Sequence, residues 1–325
     1  MPAYDRSPMN FLQVAPAGEG YRAELAEGPR PRPAPDEALI EVAASGVNRA
    51  DLSQIAGRYP PPPGEPEILG LEVSGRLVET GENVCALLAG GGHAEFVAAP
   101  RGQILPAPPG LDLADAAGIP EAYLTAFLSL VVEAGLSSGG SLLVHAAASG
   151  VGLAAIQIAR LLGARAGGTT RTAAKVPAIE RAGAELAIDT EKEPFADVLE
   201  RRWGRDAVDV VLDPIGAATL ADDLRVLKIG GRVVFLATLS GAKAELDIAR
   251  LMGKRARLIG STLRARARDE KARLVARFRE EILPGFATGA LSVAVDSVFP
   301  AARSAEAFER MKANRNVGKI LIDWR

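Results

Sequence analysis

Four small residues, Ser149–Gly152, lie where an apolar strand is expected to meet a helix. Leu142–Val144 is a short apolar run typical of a buried parallel strand, and Leu153–Leu162 carries apolar residues at helical spacing. Such a turn lets the backbone N–H groups of the following helix approach a pyrophosphate. The same turn also fits a plain strand–helix connection, because Ala147 and Ser149 stand where a G-x-G-x-x-G pattern would have glycines.

A cationic segment follows the next predicted strand, Arg165–Thr169. An NAD site places Asp or Glu near this strand end for the ribose 2′-OH, yet residues 134–179 contain no acidic side chain. Thr170, Arg171 and Lys175 offer a hydroxyl and two cations instead, which suit a 2′-phosphate. We therefore expect NADPH rather than NADH. The alternative is a solvated helix start that carries two surface cations.

The composition is that of an ordinary globular chain, and its 325 residues are enough for two domains. A net charge of -2 without a basic tract argues against a nucleic-acid partner. The single cysteine, Cys85, excludes a disulfide framework and a multi-cysteine zinc site. Of the two histidines, His145 follows a strand and is expected to be a hydrogen-bonded core residue.

No membrane or secretory segment is expected. The N-terminus lacks the charged start and apolar run of a signal peptide. Residues 134–159 carry no charge and are long enough to cross a bilayer, but the predicted turn breaks them in the middle. We expect a cytoplasmic protein.

Two kinds of sequence follow each other along the chain. Residues 1–122 are rich in Pro and Gly with short apolar runs, which predicts a small, mostly antiparallel β domain. Strands and helices then alternate, for example the predicted strand Leu186–Asp189 and the predicted helix Phe195–Trp203. This alternation predicts an α/β fold with a doubly wound parallel sheet, in which ligands sit at the carboxyl ends of the strands.

Several motifs in order point to a known family. They are Ser45–Asp51 (SGVNRAD), Gly70–Gly75 (GLEVSG), Ile119-Pro120 (IP) with Leu124–Phe127 (LTAF), His145–Gly152 (HAAASGVG) and Asn316–Ile320 (NVGKI). The chain resembles the medium-chain dehydrogenase/reductase superfamily in its zinc-free, zeta-crystallin-like quinone oxidoreductase branch. Residues 260–319 are most similar to the p53-inducible quinone oxidoreductase subgroup.

The resemblance implies a GroES-like domain built from residues 1–122 and 264–325, with a Rossmann NADPH-binding domain, residues 123–263, inserted between them. It also implies a homodimer in which the edge strands Leu258–Ser261 of two Rossmann sheets pair. Zinc-dependent relatives carry a cysteine ligand near Asn48 and a histidine ligand at Leu71. Since neither ligand is present, no metal site is expected.

The resemblance further implies a set of site residues. Asn48 and Tyr59 would lie nearest the reacting groups, with Tyr59 beside the quinone. The residues that would bind the cofactor are Asn48, Thr125, Ser149, Gly150, Val151, Gly152, Thr170, Arg171, Lys175, Asp213, Gly216, Leu236, Thr238, Ser261, Leu263 and Lys319. Two departures from the family are Thr190, where a tyrosine is usual, and the short segment Glu82–Cys85, where the family has a longer strand-turn-strand. About ten residues are missing there by typical hairpin-loop lengths, through either a true deletion or a disordered loop left out of the sequence.

Three functions are compatible with these residues. The first is transfer of electrons or hydride from NADPH to a quinone, in which the protein supplies binding and orientation. The second is NADPH-dependent reduction of an activated C=C bond in an enal, enone or enoyl thioester, which requires a proton donor that the sequence does not identify. The third is a non-catalytic NADPH-binding stress protein.

Overall fold

The computed structural model describes residues 7–18 and 20–325, which form fifteen strands and ten α-helices. The strands are β1 (Pro8–Ala17), β2 (Gly20–Pro29), β3 (Glu37–Val47), β4 (Glu72–Leu77), β5 (Asn83–Leu87), β6 (Phe96–Pro100), β7 (Ile104–Pro106), β8 (Ser141–Val144), β9 (Arg165–Thr170), β10 (Leu186–Asp189), β11 (Val208–Asp213), β12 (Leu227–Phe235), β13 (Arg257–Gly260), β14 (Val295–Pro300) and β15 (Lys319–Asp323). The helices are α1 (Arg49–Ile55), α2 (Pro120–Phe127), α3 (Gly150–Leu161), α4 (Val176–Arg181), α5 (Phe195–Trp203), α6 (Leu220–Val226), α7 (Ile248–Lys254), α8 (Arg268–Glu281), α9 (Pro284–Ala287) and α10 (Ser304–Lys312).

The chain divides into two compact units. One runs to Leu124 and resumes at Leu263, and the other is Thr125–Thr262. In the first unit the strand order is β14-β15-β3-β4-β5-β7, with β6 pairing β3, and every pair except β14–β15 is antiparallel. The last strand thus completes the N-terminal sheet, with Ile320 opposite Val47. This register brings residues from the two ends of the chain together.

The first unit also has two local features that were not predicted from the sequence. Strands β1 and β2 form a separate antiparallel hairpin that seats the fully buried Leu12 in the core of this unit. Strands β4 and β5 are joined by a tight turn over residues 78–82, in which Leu77 N–H donates to Glu82 O (3.0 Å). The short segment Glu82–Cys85 therefore closes an ordinary hairpin.

The second unit is a six-stranded parallel sheet in the order β10-β9-β8-β11-β12-β13. Its strands are short apolar runs such as Val208–Asp213, which is buried along nearly its whole length. The prediction of a doubly wound parallel sheet beside an antiparallel-rich GroES-like domain is confirmed. Because all six strands are parallel, their carboxyl ends lie along one edge, and the predicted cofactor residues of this unit other than Thr125 lie at or follow these ends.

Some predicted bounds were wrong. Helix α3 begins at Gly150 rather than Leu153, so three residues assigned to the turn belong to the helix. Helix α7 was not predicted. The uncharged span 134–159 is indeed divided into β8, a turn and part of α3. Within the described chain, the helical run Asp115–Glu133 is the one with the length and apolar character to cross a bilayer, and 72% of its apolar window is buried, as in the core helix of a globular protein.

Candidate functional site

The turn between β8 and α3 has a capped helix start, as a phosphate-binding turn would. Ser149 is the N-cap of α3, and its Oγ accepts a hydrogen bond from Gly152 N–H (3.1 Å). Serine is favoured at this position because its hydroxyl satisfies one of the N–H groups that the helix itself leaves without an acceptor. Gly150 and Val151 are half-buried in the same first turn. Their N–H groups are therefore available to a phosphate.

Glycine is required at two positions around this turn. A Cβ on Gly152 would lie 2.6 Å from the carbonyl oxygen of Ala147, and a Cβ on Gly168 would lie 2.6 Å from the Ala147 Cβ. The start of α3 and the neighbouring strand β9 thus both press against Ala147, which is itself fully buried. The turn is tight because these three residues are small, and this tightness fits the close backbone approach that a dinucleotide needs.

A buried hydrogen-bond network around His145 supports the turn between β8 and α3. His145 Nδ1 lies 2.9 Å from Thr169 Oγ1, and its Nε2 lies 2.8 Å from Asp223 Oδ1. Burial opposes a charge on the imidazole, yet the Asp223 carboxylate raises the pKa of His145 above its ordinary value. Burial raises the pKa of Asp223 to about 6. His145 is thus a hydrogen-bonded core residue, as predicted, and it ties β8 to β9 and α6.

At the end of β11, Asp213 organises a second turn. Its carboxylate accepts hydrogen bonds from Ile215 N–H (2.5 Å), Gly216 N–H (3.1 Å) and Thr219 Oγ1 (2.8 Å). This turn is coupled to the loop after β12, because Leu236 N–H donates to Asp213 O (2.9 Å). The Asp213 carboxylate therefore holds its own loop in shape and fixes Gly216, while the Asp213 backbone carbonyl fixes Leu236.

The cationic segment lies at the end of β9. Thr170 is buried, and its Oγ1 accepts a hydrogen bond from Thr172 N–H (3.2 Å). Arg171 is exposed, and Lys175 is half-buried in a short 3₁₀ turn, Ala173–Lys175. Thr190, which replaces the usual tyrosine, donates from its N–H to Thr170 O (2.8 Å). The segment thus presents cations at the strand end where an NAD site would have a carboxylate.

The remaining predicted residues of this unit fall at other strand ends or on α2. Thr125 is half-buried on α2, and its carbonyl oxygen accepts a hydrogen bond from Ser129 Oγ (2.8 Å). Thr238 is exposed in the loop after β12, and Ser261 is buried just beyond β13. Ser261 N–H donates to Phe235 O (2.9 Å), which fixes it to the end of β12.

In the other unit, Asn48 and Lys319 meet on one carboxylate. Lys319 Nζ lies 2.5 Å from Glu72 Oε1 and 2.8 Å from Asn48 Oδ1. Asn48 Nδ2 donates to the same Glu72 oxygen (3.0 Å). Glu72 is fully buried, and a Cβ on Gly46 would lie 2.3 Å from its Oε1, so the glycine makes room for it. The predicted residues Asn48 and Lys319 are thus brought together by a carboxylate that was not predicted.

Glu121 joins this cluster through its backbone. Its N–H donates to the second Glu72 oxygen, Oε2 (2.8 Å), and its side chain is half-buried. Burial, followed by the neighbouring Glu72, raises the pKa of Glu121 to about 8. A carboxyl group with this pKa is mostly neutral at pH 7 and is therefore a hydrogen-bond donor.

Tyr59 is held by a buried arginine. Arg264 donates to Tyr59 O (3.1 Å), Ala89 O (2.7 Å) and Gln54 Oε1 (2.7 Å), and its guanidinium lies 5.0 Å from the centre of the Tyr59 ring. Burial and Glu121 raise the pKa of Tyr59, while Arg264 opposes them. The phenol therefore stays protonated and able to donate. Leu263, also a predicted site residue, is buried next to Arg264 in the chain.

The positions of the zinc ligands in related enzymes hold residues that do not bind zinc, namely Leu71 and the region of Asn48. Asn48 is engaged with Lys319 and Glu72, and Leu71 is buried in the strand region. His93 bonds Ser45 Oγ through Nδ1 (2.8 Å), and its Nε2 lies 3.4 Å from Asp51. Across residues 7–18 and 20–325, no group of three or more His, Cys, Asp or Glu side chains is arranged to hold a metal ion.

Glu72, Glu121 and Arg264 were missed as functional residues. The sequence carried one signal for Glu72, its place in the motif Gly70–Gly75. Arg264 gave no comparable signal, because its three acceptors are scattered over residues 54–89.

Comparisons with known proteins place this architecture in a family. Residues 34–109 match the alcohol dehydrogenase GroES-like domain, and residues 150–280 match the family described as zinc-binding dehydrogenase. Human quinone oxidoreductase is 30% identical over 303 residues, which cover 90% of this chain and 90% of the human protein. The chain belongs to the medium-chain dehydrogenase/reductase superfamily.

Solved structures of this superfamily agree with the assignment. The quinone oxidoreductase of Thermus thermophilus, described with its NADPH complex, is 32% identical with a TM-score of 0.82, over 93% of this chain and 96% of that one. A mycobacterial protein complexed with NADPH is 28% identical with a TM-score of 0.84, over 97% and 100% of the two chains. The zeta-crystallin-like branch of the superfamily, expected from the motifs, fits these relatives.

Proposed function

We propose that this medium-chain dehydrogenase/reductase is an NADPH-dependent quinone oxidoreductase that works without a metal. The observation that carries the proposal is the strand end at Thr170, where Arg171 and Lys175 follow and no acidic residue occurs over 134–179. Relatives named quinone oxidoreductase, one of them described in complex with NADPH, support it.

The preference for NADPH rests on charge. Arg and Lys bind phosphate oxygens through charge-assisted hydrogen bonds, and each such bond contributes about 1.5–3 kcal/mol. A carboxylate at the same strand end would repel a 2′-phosphate and bind a ribose diol instead. The cradle at Ser149–Gly152 would hold the pyrophosphate of either cofactor. Discrimination is therefore assigned to Arg171 and Lys175 alone.

The chain's own residues position the reacting groups. NADPH, when bound, supplies the two electrons of the reduction. The Tyr59 hydroxyl, kept protonated, would donate a hydrogen bond to a quinone oxygen, and Arg264 holds its loop in place. Asn48 has its amide fixed by Glu72 and Lys319, so it would offer a rigid polar contact. No Lewis acid is required, because a quinone accepts electrons readily.

Reduction of an activated C=C bond is a second candidate, and one observation favours it. This reaction needs a proton donor, and Glu121 is a carboxyl group whose pKa is raised to about 8 beside Tyr59 and Lys319. The sequence alone offered no such acid. A non-catalytic NADPH-binding role is the remaining alternative and would show as cofactor binding without turnover.

The proposed assembly is a homodimer through β13, and the proposed location is the cytoplasm. Strand β13 is the last strand of the parallel sheet and pairs with β12 on one side. Leu258 and Ile259 on it are half-buried, and Met252 on the preceding helix is 70% exposed. Pairing of two such edges would extend the sheet and cover these apolar side chains.

The test is the loss of NADPH absorbance on adding an acceptor to the purified protein. An ortho-quinone is added to one sample and an enone to another, with a protein-free control for direct chemical reduction. Rapid oxidation with the quinone supports the proposal. Turnover of the enone alone would replace it with the C=C reductase, and saturable NADPH binding without oxidation by either acceptor would favour the non-catalytic role.

A further inference from the structure

We propose that Glu121 is the acid that supplies the proton for the reduced substrate, and that the substrate class therefore includes activated alkenes conjugated to a carbonyl group as well as quinones. The inference rests on the proposed function, since it concerns the proton that must accompany the two electrons. It is carried by the arrangement of the charged cluster around Asn48 and Lys319.

The cluster leaves one of its two carboxyl groups without a cation of its own. Lys319 Nζ and Asn48 Nδ2 both bond Glu72 Oε1, at 2.5 and 3.0 Å, and Glu121 N–H bonds Glu72 Oε2 at 2.8 Å. Both oxygens of the Glu72 carboxylate thus accept hydrogen bonds, and Lys319 balances its charge. The Glu121 Oε2 atom is buried and, within the described part of the chain, has no hydrogen-bond partner. A carboxyl group so placed is stable as the neutral acid.

The charges that face Glu121 come from four elements. Glu72 on β4 and Asp51 on α1 disfavour its ionisation, while Lys319 on β15 and Lys271 on α8 favour it. Lys271 is itself buried, and burial lowers its pKa. Burial of Glu121 is the largest effect, and the balance sets its pKa at about 8. Most of the molecules therefore carry the proton at pH 7.

Glu121 also acts on the residue that is expected to face the substrate. Its charge is among the causes that raise the pKa of Tyr59, so the two groups lie within electrostatic reach of each other. Arg264 fixes the Tyr59 backbone at 3.1 Å and keeps the ring in place. An acid whose pKa is near the working pH, within electrostatic reach of a protonated phenol, suits general acid catalysis.

In the reduction of an enone, two new bonds to hydrogen form. A C–H bond forms at the β-carbon with the hydride that the cofactor supplies, and the π electrons of the C=C bond move toward the carbonyl group. The Glu121 O–H bond breaks, and its proton forms the second new bond of the substrate. The substrate is reduced by two electrons, the cofactor is oxidised by two, and water returns a proton to the Glu121 carboxylate. With a quinone the proton goes to an oxygen.

The experiment combines a titration and a rate. In the protein without cofactor, the side-chain carboxyl carbon of Glu121 is followed by 13C NMR from pH 4 to 10 and assigned by its loss in Glu121→Gln. We expect a midpoint near 8. Single-turnover rates with an enone are then measured from pH 6 to 10. The wild-type rate should fall above pH 8, and Glu121→Gln should lower it about 10²-fold or more at pH 7 and abolish the fall.

Two further variants make the result specific. Glu121→Asp keeps a carboxyl group and should restore part of the enone rate together with the pH dependence. Glu79→Gln removes an exposed carboxylate that pairs with Arg101 and should leave both unchanged. NADPH affinity should be the same in all variants, which also reports that they are folded.

Several results would overturn the inference. A carboxyl midpoint below 5, or an enone rate in Glu121→Gln equal to wild type with the same pH dependence, would do so while leaving the proposed function intact. A wild type that reduces quinones but no enone at any pH would contradict the substrate class. A wild type that reduces neither acceptor would remove the proposed function together with the inference.

Discussion

The Lys319 ammonium nitrogen lies 2.5 Å from the Glu72 carboxylate, and both side chains are buried. The pair joins β15, near the chain terminus, to β4, and it fixes the Asn48 amide between them. A buried ion pair costs desolvation, so its presence here is better explained by the positions it defines than by net stabilisation.

Removal of one partner should be costly. Lys319→Met leaves the Glu72 carboxylate buried without its cation, and we expect the free energy of unfolding to fall by about 3–5 kcal/mol. Denaturant unfolding measures this change. Lys312→Met removes a lysine from an exposed pair with Glu309 and should change stability by less than about 0.5 kcal/mol. Equal effects of the two variants would refute the role given to the buried pair.

Gly152 should not tolerate a methyl group. In Gly152→Ala the new Cβ would be placed 2.6 Å from Ala147 O, so the start of α3 must shift, and we expect a loss of about 1–3 kcal/mol in stability. NADPH affinity should fall at least tenfold, because the displaced N–H groups are those proposed to bind the pyrophosphate. Gly253→Ala is the matched control, since nothing lies within 4 Å of its Cβ, and helix propensity predicts a gain of about 0.5–1 kcal/mol. Unchanged NADPH affinity in Gly152→Ala would argue against the cradle.

The raised pKa of Glu121 has a consequence for stability. Its pKa is about 8 in the folded chain and near its ordinary value when unfolded, so the folded state holds one more proton between these values. Stability should therefore fall as pH rises from about 5 to 8. Urea midpoints of the wild type and Glu121→Gln measured across this range isolate the contribution, which the variant lacks. If the difference between the two proteins does not change with pH, Glu121 titrates at its ordinary pKa.

Arg264 is predicted to position Tyr59. Arg264→Lys keeps the positive charge but lacks the planar guanidinium, so it cannot donate to Ala89 O, Tyr59 O and Gln54 Oε1 at the same time. We expect a several-fold rise in KM for the quinone with an unchanged Kd for NADPH, since the cradle is untouched. Steady-state kinetics with a varied quinone and a fluorescence titration with NADPH separate the two effects. An equal loss in both would assign Arg264 to general stability.

Much of the fold could be read from the sequence. Leu186–Asp189 and Phe195–Trp203 were predicted with the ends that the structure has, because each is a short periodic run between polar or turn-forming residues. The start of α3 was misplaced because Gly150 and Gly152 are poor helix formers, and Gly152 packs closely on Ala147. The hairpin of β1 and β2 was missed, since exposed Tyr21 and Leu25 obscure its alternation.

The candidate site was predictable only where it is local in sequence. The Ser149–Gly152 turn and the Arg171–Lys175 segment each lie within a few residues and carry their own signal. The cluster around Glu72 does not, because its cation comes from Lys319, 247 residues away. The pKa of Glu121 likewise depends on burial and on charges from four elements, which no local pattern reports.

The central claim is tested most directly by kcat/KM for NADPH and for NADH, each with the same ortho-quinone, in the wild type and in Arg171→Ala/Lys175→Ala. Loss of two charge-assisted bonds predicts a wild-type preference for NADPH of about a hundredfold or more, nearly abolished in the double variant with NADH use unchanged. Arg181→Ala, which removes an exposed cation on α4, should keep the preference. Equal use of NADPH and NADH by the wild type would contradict the account.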